Sequence, residues 1–138
     1  MSDLSRFHNA QAHDYKTALS EIRSGRKRSH WIWYIFPQIE GLGFSSTSQY
    51  YAIRGLDEAK AYLADPVLRS RLEEISLALL DLDSSDPSAV MGYPDDLKLR
   101  SSMTLFAAVE PENGIFQSVL DKFFEGIPDE RTLRLLGM

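Results

Sequence analysis

The sequence predicts an all-α fold, a single domain over residues 1–138 built from about seven to nine short helices. Three observations carry that expectation. Residues 7–23 repeat apolar side chains at spacings of three and four, the period of a helix packed on one face. Residues 65–82 do the same and begin on a strong capping signal. The one run that reads well as a strand, residues 31–36, has no second convincing strand to pair with.

Taken in order, the first helix is expected over residues 7–23, with Phe7, Ala18, Leu19 and Ile22 on its apolar stripe. Ser5 or Asp3 would cap its start, and Gly25 would end it in a left-handed conformation. His8 and His13 lie off the stripe and read as solvent-facing. Their i, i+5 spacing puts them on different faces, so they make no metal pair.

Residues 29–36 leave two readings open. Aromatic and β-branched residues favour a buried strand. A short buried helix fits equally well, with Ser29 as N-cap and Pro37 as the stop. The lack of a partner strand tips the balance to the helix.

Residues 38–48 read as a loop, given backbone freedom by Gly41 and Gly43 and turn chemistry by Ser45, Ser46, Thr47 and Ser48. The Gly-x-Gly spacing is not a dinucleotide fingerprint, because no strand of a βαβ unit precedes it. Residues 48–54 form a short helix bearing Tyr50 and Tyr51. Another runs over residues 56–64, with Asp57 and Glu58 in a first turn that favours anions. Asp65 and Pro66 are the N-cap and first residue of the next helix, which reaches about residue 82. Its predicted apolar face is Val67, Leu68, Leu72, Ile75, Leu79 and Leu82.

After a polar turn, residues 87–91 make one helical turn that Gly92 ends. Residues 95–109 form a helix with Leu97, Met103 or Thr104, Leu105 and Phe106 facing inward. Residues 114–124 form the next, with Ile115, Val119, Leu120, Phe123 and Phe124 apolar and Gly126 at its end. The last helix covers residues 129–136. No internal repeat, low-complexity segment or linker is visible.

Composition narrows function mainly by exclusion. The apolar fraction is 43% and the charged fraction 25%, both ordinary for a globular protein. A net charge of −5 disfavours nucleic acid and anionic membranes as partners. The chain has no cysteine, which rules out disulfides, thiolate metal sites and a cysteine nucleophile. The N-terminal segment has no apolar signal-peptide core, and the longest apolar run is too short to span a bilayer. The expectation is a cytoplasmic, bacterial-type protein with no cofactor and no bound metal.

The chemistry concentrates in residues 27–43. That window holds both tryptophans, His30, Pro37 and two glycines, with Arg26, Lys27 and Arg28 at its start. Placed on a helix, His30 and Trp33 share one face, and Trp31 and Ile35 another. Either one face borders a cleft, or both tryptophans are core and His30 is a buried, hydrogen-bonded histidine. In the first reading Trp33 stacks a planar ring, His30 acts near neutral pH, and Gln38 bonds a base edge or amide. Lys27 and Ser29 suggest an anion cradle at a helix start, or else a solvated basic turn. Asp95, Asp96 and Lys98, with Ser101, Ser102 and Thr104, form a third cluster. Its hydroxyls are expected to line a groove beside the aromatic segment, and its acids could equally be helix caps.

The segment Ser29 to Gly43, SHWIWYIFPQIEGLG, resembles the signature of a bacterial family of uncharacterised proteins, the domain-of-unknown-function 1810 family. The resemblance extends through Arg6-Phe7, Gly25-Arg26-Lys27, Tyr51-Ala52-Ile53, Pro66-Val67-Leu68 and Ser101 to Phe106. Departures are small: Ile32, Asp65 and Ser70 replace residues common in the family, and Asp65 removes a histidine role at that position. The resemblance implies an all-helical fold and no established activity. Members have carried the name calpastatin, but a calpain inhibitor of that kind is a disordered, repetitive chain, unlike this periodic, core-rich one.

Polar residues embedded in these motifs suggest one pocket for a phosphorylated or otherwise anionic small molecule, such as a nucleotide or an ADP-ribose-like compound. The expected lining is Lys27, Ser29, Trp33, Gln38, Lys98 and Ser102. Any catalysis would be acid–base chemistry through His30 or Asp96. The alternative is a non-enzymatic helical protein-interaction module with an exposed apolar patch.

Overall fold

The computed structural model describes residues 3–138. Met1 and Ser2, part of the N-terminal reading above, lie outside the described residues. Helix α1 (Ser5–Arg23) buries Phe7, Ala18, Leu19 and Ile22 of the predicted stripe. Of the neighbours at the two middle turns, Ala10 or Gln11 and Asp14 or Tyr15, it is Gln11 and Tyr15 that turn inward. Ser5 is not its cap. Leu4 holds that position without a side-chain bond, and Asp3 accepts the Ser5 N–H at 2.9 Å. Gly25 follows with φ of 91°, the left-handed turn that lets the chain reverse.

The aromatic segment resolves as a helix of one turn, α2 (Ile32–Ile35), which stops before Pro37. Its N-cap is Trp31 and not Ser29, whose hydroxyl is engaged with Glu21 at 2.6 Å. Beyond Pro37 a single parallel bridge joins Ile39 to Ile53. Ile53 donates to the Gln38 carbonyl and Glu40 to the Ile53 carbonyl, each at 2.8 Å. The bridge closes a loop that carries α3 (Ser46–Tyr51), earlier than the expected 48–54. The shift has a local cause. Ser45 caps the helix by accepting the Ser48 N–H at 3.1 Å, and Ala52 and Ile53 must be extended to reach the bridge.

Helices α4 (Leu56–Ala64) and α5 (Pro66–Leu80) abut at Asp65, which accepts the Val67 and Leu68 N–H groups at 3.0 and 3.1 Å. His8 is not simply solvent-facing, because its Nε2 lies 2.6 Å from Asp65 Oδ2. His13 is exposed. Val67, predicted to face inward, is 44% exposed, since it sits one helical step off the Leu68–Leu72–Ile75–Leu79 stripe. Leu82 lies past the end of α5 and is only partly buried.

After α6 (Pro87–Met91), capped by Asp86, comes the central helix α7 (Asp95–Val109). It packs against α8 (Gly114–Phe124), α4, α6, α9 (Glu130–Leu135) and α2. Leu99, Met103, Leu105 and Phe106 are fully buried, whereas Leu97, expected inside, is 48% exposed. The final helix is shorter than 129–136 because Asp129 is its cap, accepting the Thr132 N–H at 3.1 Å. Among the described residues the elements are nine helices and no strand. One continuous core, from Phe7 to Phe123, links seven of them, and α3 and α9 lean on it through the partly buried Tyr51 and the C-cap residue Leu136.

A buried ion pair fixes the loop around α3. Arg6 meets Glu58 at 2.6 Å and also donates to the Ala52 carbonyl at 2.9 Å. The same Glu58 oxygen accepts the Arg54 N–H at 3.1 Å. With little water around it, this cluster is costly to break and holds α1, α4 and the loop in register.

Candidate functional site

The basic turn before α2 contains an anion cradle, and the chain fills it itself. The Glu21 carboxylate receives the Arg28 and Ser29 N–H groups at 2.8 and 2.9 Å. The Ser29 hydroxyl reaches it at 2.6 Å and the Trp31 indole at 2.9 Å. Partial burial pushes the Glu21 carboxyl up, but the Ser29 hydroxyl, the Arg28 N–H, the indole and the Ser29 N–H outweigh it. Together they hold the group at about 2. Trp31 is thereby locked in the core.

Lys27 is also turned inward. Its side chain is only 5% exposed and pairs with Asp95 at 2.7 Å. It donates to the Ser29 carbonyl as well, and it lies 4.8 Å from the centre of the Trp31 ring. Asp95 opens α7, so this pair ties the aromatic segment to the central helix. Lys98, one turn further along α7, is 3.6 Å from the other Asp95 oxygen and 5.1 Å from the centre of the Trp33 ring. Asp95 thus sits between an enclosed lysine held close and a more open one held loosely.

Lys98 belongs to an open cleft of about 260 Å³ between the residue 38–43 loop, the first half of α7 and the start of α9. Gln38, Lys98, Arg100, Ser101 and Arg131 supply its polar wall, and Leu42, Pro94 and Leu97 its apolar one. Asp129 is its only carboxylate, and its Oδ2 already faces Ser101 and Thr132. Arg100 leans on the Ile127 and Pro128 carbonyls at 2.9 and 3.1 Å, which aims the guanidinium without neutralising it. Arg131 is exposed and makes no ion pair among the described residues.

Two further hollows lie beyond this cleft, the first sharing Gln38 and Gly43 with it and the second sharing Trp33 and Tyr51 with the first. A cavity of about 20 Å³, room for roughly one water, is lined by Trp33, Gln38, Gly43, Ser48 and Tyr51 among others. Past Trp33 and Tyr51 lies a shallow bay of about 530 Å³ formed with Tyr34, Ser46, Thr47 and Tyr50. No charged side chain lines it. Burial, with Asp14 nearby, raises the Tyr34 and Tyr51 hydroxyls above the ordinary tyrosine value, so both stay neutral.

The structure therefore brings Trp33, Gln38 and Lys98 around neighbouring hollows. Lys27 and Ser29 lie in the adjoining internal network. His30 is exposed and borders none of these hollows. Asp96 is buried and turns to α6, accepting the Ser88 hydroxyl at 3.0 Å. Ser102 is fully buried, with no hydrogen-bond partner for its hydroxyl among the described residues. The hydroxyl run thus divides by helical phase: Ser101 lines the cleft, while Ser102 and Thr104 point into the protein.

Sequence reasoning named Asp95 only within the α7 cluster and passed over Arg100, Asp129 and Arg131 as site residues. Pro94, Leu97, Lys98 and Ser101 fall at spacings of three and four, which could have marked one face of α7. Nothing local announces Arg131, which only the packing of α9 on α7 brings in. Among the described residues no group of three or more potential ligands could hold a metal ion, and no helix is long and apolar enough to cross a membrane.

Comparison with known proteins adds a fold and no activity. The family described as "Protein of unknown function (DUF1810)" matches residues 1–136. The crystal structure of the conserved hypothetical protein Rv1873 from Mycobacterium tuberculosis is 44% identical, with a TM-score of 0.96 over 99% of this chain and 97% of that one. No curated protein matches.

Proposed function

The chain belongs to the DUF1810 family of proteins of unknown function, and we propose that it binds an anionic, phosphorylated small molecule, such as a nucleotide or an ADP-ribose-like compound, in the cleft around Lys98. The observation that carries this reading is the convergence of Lys98, Arg100 and Arg131 on one open concavity. The whole chain carries a charge of −5, so this local excess of cations runs against its composition. Guanidinium and ammonium groups there can meet phosphate oxygens directly, and Gln38 and Ser101 add neutral donors. The reading is one of binding: His30 and Asp96 lie away from the cleft, and Asp129 is engaged in capping α9.

Calorimetric titration with inorganic pyrophosphate, sugar phosphates and nucleotides tests it. Saturable binding is expected, weakening with added salt. Lys98→Ala should lower affinity about tenfold, equivalent to one good charge-assisted hydrogen bond. Absence of heat and of any melting shift across the panel would rule it out.

A second reading, docking of another protein, draws on the exposed aromatics Phe44 (81%) and Tyr50 (56%) beside α3. It predicts that Phe44→Ser abolishes partner capture while Lys98→Ala leaves it intact.

A further inference from the structure

We infer that the neutral bay of Trp33, Tyr34, Ser46, Thr47, Tyr50 and Tyr51 is a ring-stacking subsite, and that the ligand is a nucleoside phosphate with its base there and its phosphates at Lys98. The inference rests on the anion reading of the cleft and specifies the other end of the same ligand.

Two observations point to it. The first is a division of chemistry. The cleft at α7 gathers three cations beside its apolar wall, whereas the bay of about 530 Å³ at α3 is lined only by aromatic rings and hydroxyls. A purely anionic ligand gains nothing from the bay, and a purely apolar one leaves the cations of the cleft unused. A planar heterocycle joined to phosphates satisfies both. Aromatic faces take its ring by stacking, and the Ser46 and Thr47 hydroxyls can pair with its edge.

The second observation is adjacency. Trp33 and Tyr51 belong to both the bay and the small cavity, and Gln38 and Gly43 to both the small cavity and the cleft. Lys98, a cleft residue, also lies 5.1 Å from the centre of the Trp33 ring. The bay and the cleft share no residue with each other, but each shares walls with the small cavity, and the Lys98–Trp33 contact sets the two side by side. Tyr50 is the least buried ring of the bay and stands edge-on to Tyr51 at 4.8 Å between centres. Tyr51 in turn packs on Tyr34 at 5.0 Å. The inner rings are thus fixed by the core while the outer one is presented to solvent, the arrangement of a preformed stacking platform.

The test compares pyrophosphate, ribose 5-phosphate and a nucleoside diphosphate on wild type, Tyr50→Ala, Tyr50→Phe and Lys98→Ala by calorimetry. The nucleoside diphosphate should bind about tenfold more tightly than pyrophosphate, the scale of one stacked base. Tyr50→Ala should erase that margin and leave pyrophosphate affinity unchanged. Tyr50→Phe should preserve it, and Lys98→Ala should weaken both ligands. Wild-type tryptophan fluorescence should respond more to the nucleotide than to pyrophosphate, whose contact with Lys98 also reaches the Trp33 ring, and Trp33→Phe should abolish the difference. Equal affinities for the two ligands, or a margin that survives Tyr50→Ala, overturn the subsite while leaving the anion reading standing. Failure of every phosphate to bind overturns both.

Discussion

The turn at Lys27–Trp31 and the cleft at Lys98–Arg131 are both rich in positive charge, yet only one of them has charge to offer. In the turn, the cradle of N–H groups is filled by Glu21 and the lysine is closed onto Asp95. In the cleft, Lys98 is held loosely at 3.6 Å and Arg131 makes no ion pair among the described residues. The same residue types serve architecture in one place and remain available in the other. What separates them is whether the chain's own acids reach them first. Asp95 joins the two regions, so perturbing one tests its independence of the other.

The largest effect is expected at Glu21. Glu21→Ala strands two backbone N–H groups, a hydroxyl and the Trp31 indole, and should lower stability by about 3 kcal/mol. For a chain of this size that is a fall in Tm of about 12 °C. Anion affinity at the cleft should not change in the folded fraction. The pH dependence follows from the folded value of about 2, below the ordinary 4.5. The carboxylate's contribution is complete above about pH 4.5 and is lost as pH falls through 2. Glu21→Gln should therefore flatten the decline of stability between about pH 5 and pH 2, as read from urea midpoints across that range. A wild-type slope retained in the variant would mean that the turn is not held by this carboxylate.

Lys27 should come next. Lys27→Met keeps much of the stem beside Trp31 but leaves Asp95 facing Lys98 alone, and about 2 kcal/mol of stability should be lost. Adding Asp95→Asn removes the stranded carboxylate. The double variant should recover about 1 kcal/mol relative to additivity. Strict additivity in that cycle, measured by denaturant unfolding, would show that Lys27 and Asp95 act separately and that the two regions are not joined there.

How much of this was legible follows the same line between local and distant causes. Helix ends set by nearby residues were readable: Asp65 and Pro66 open α5, Pro37 follows α2, and Asp95–Val109 and Gly114–Phe124 fell where their patterns put them. Val67 and Leu97 were misplaced because an apolar residue one step off a stripe looks the same in sequence as one on it. Ser29 was given a cap role because the acid that engages it, Glu21, lies a turn and a loop away. Of the candidate site, Trp33, Gln38 and Lys98 could be named, but the wall opposite them could not. Arg131 enters only through the docking of α9, a contact that no short-range spacing encodes.

His30 gives the smallest expected effect and the sharpest discrimination between the two regions. It is the one imidazole in the aromatic segment, and chemical type alone makes it the most attractive residue there. Its exposed position borders neither the cleft nor the bay. His30→Ala should therefore change stability by less than about 0.5 kcal/mol, the usual range for a surface substitution. Pyrophosphate and nucleotide affinity should stay within about twofold. A loss of about tenfold in affinity would move the ligand to the basic turn. It would mean that an incoming phosphate competes with Glu21 for the same N–H groups, and the contrast between an occupied cradle and an open cleft would fail.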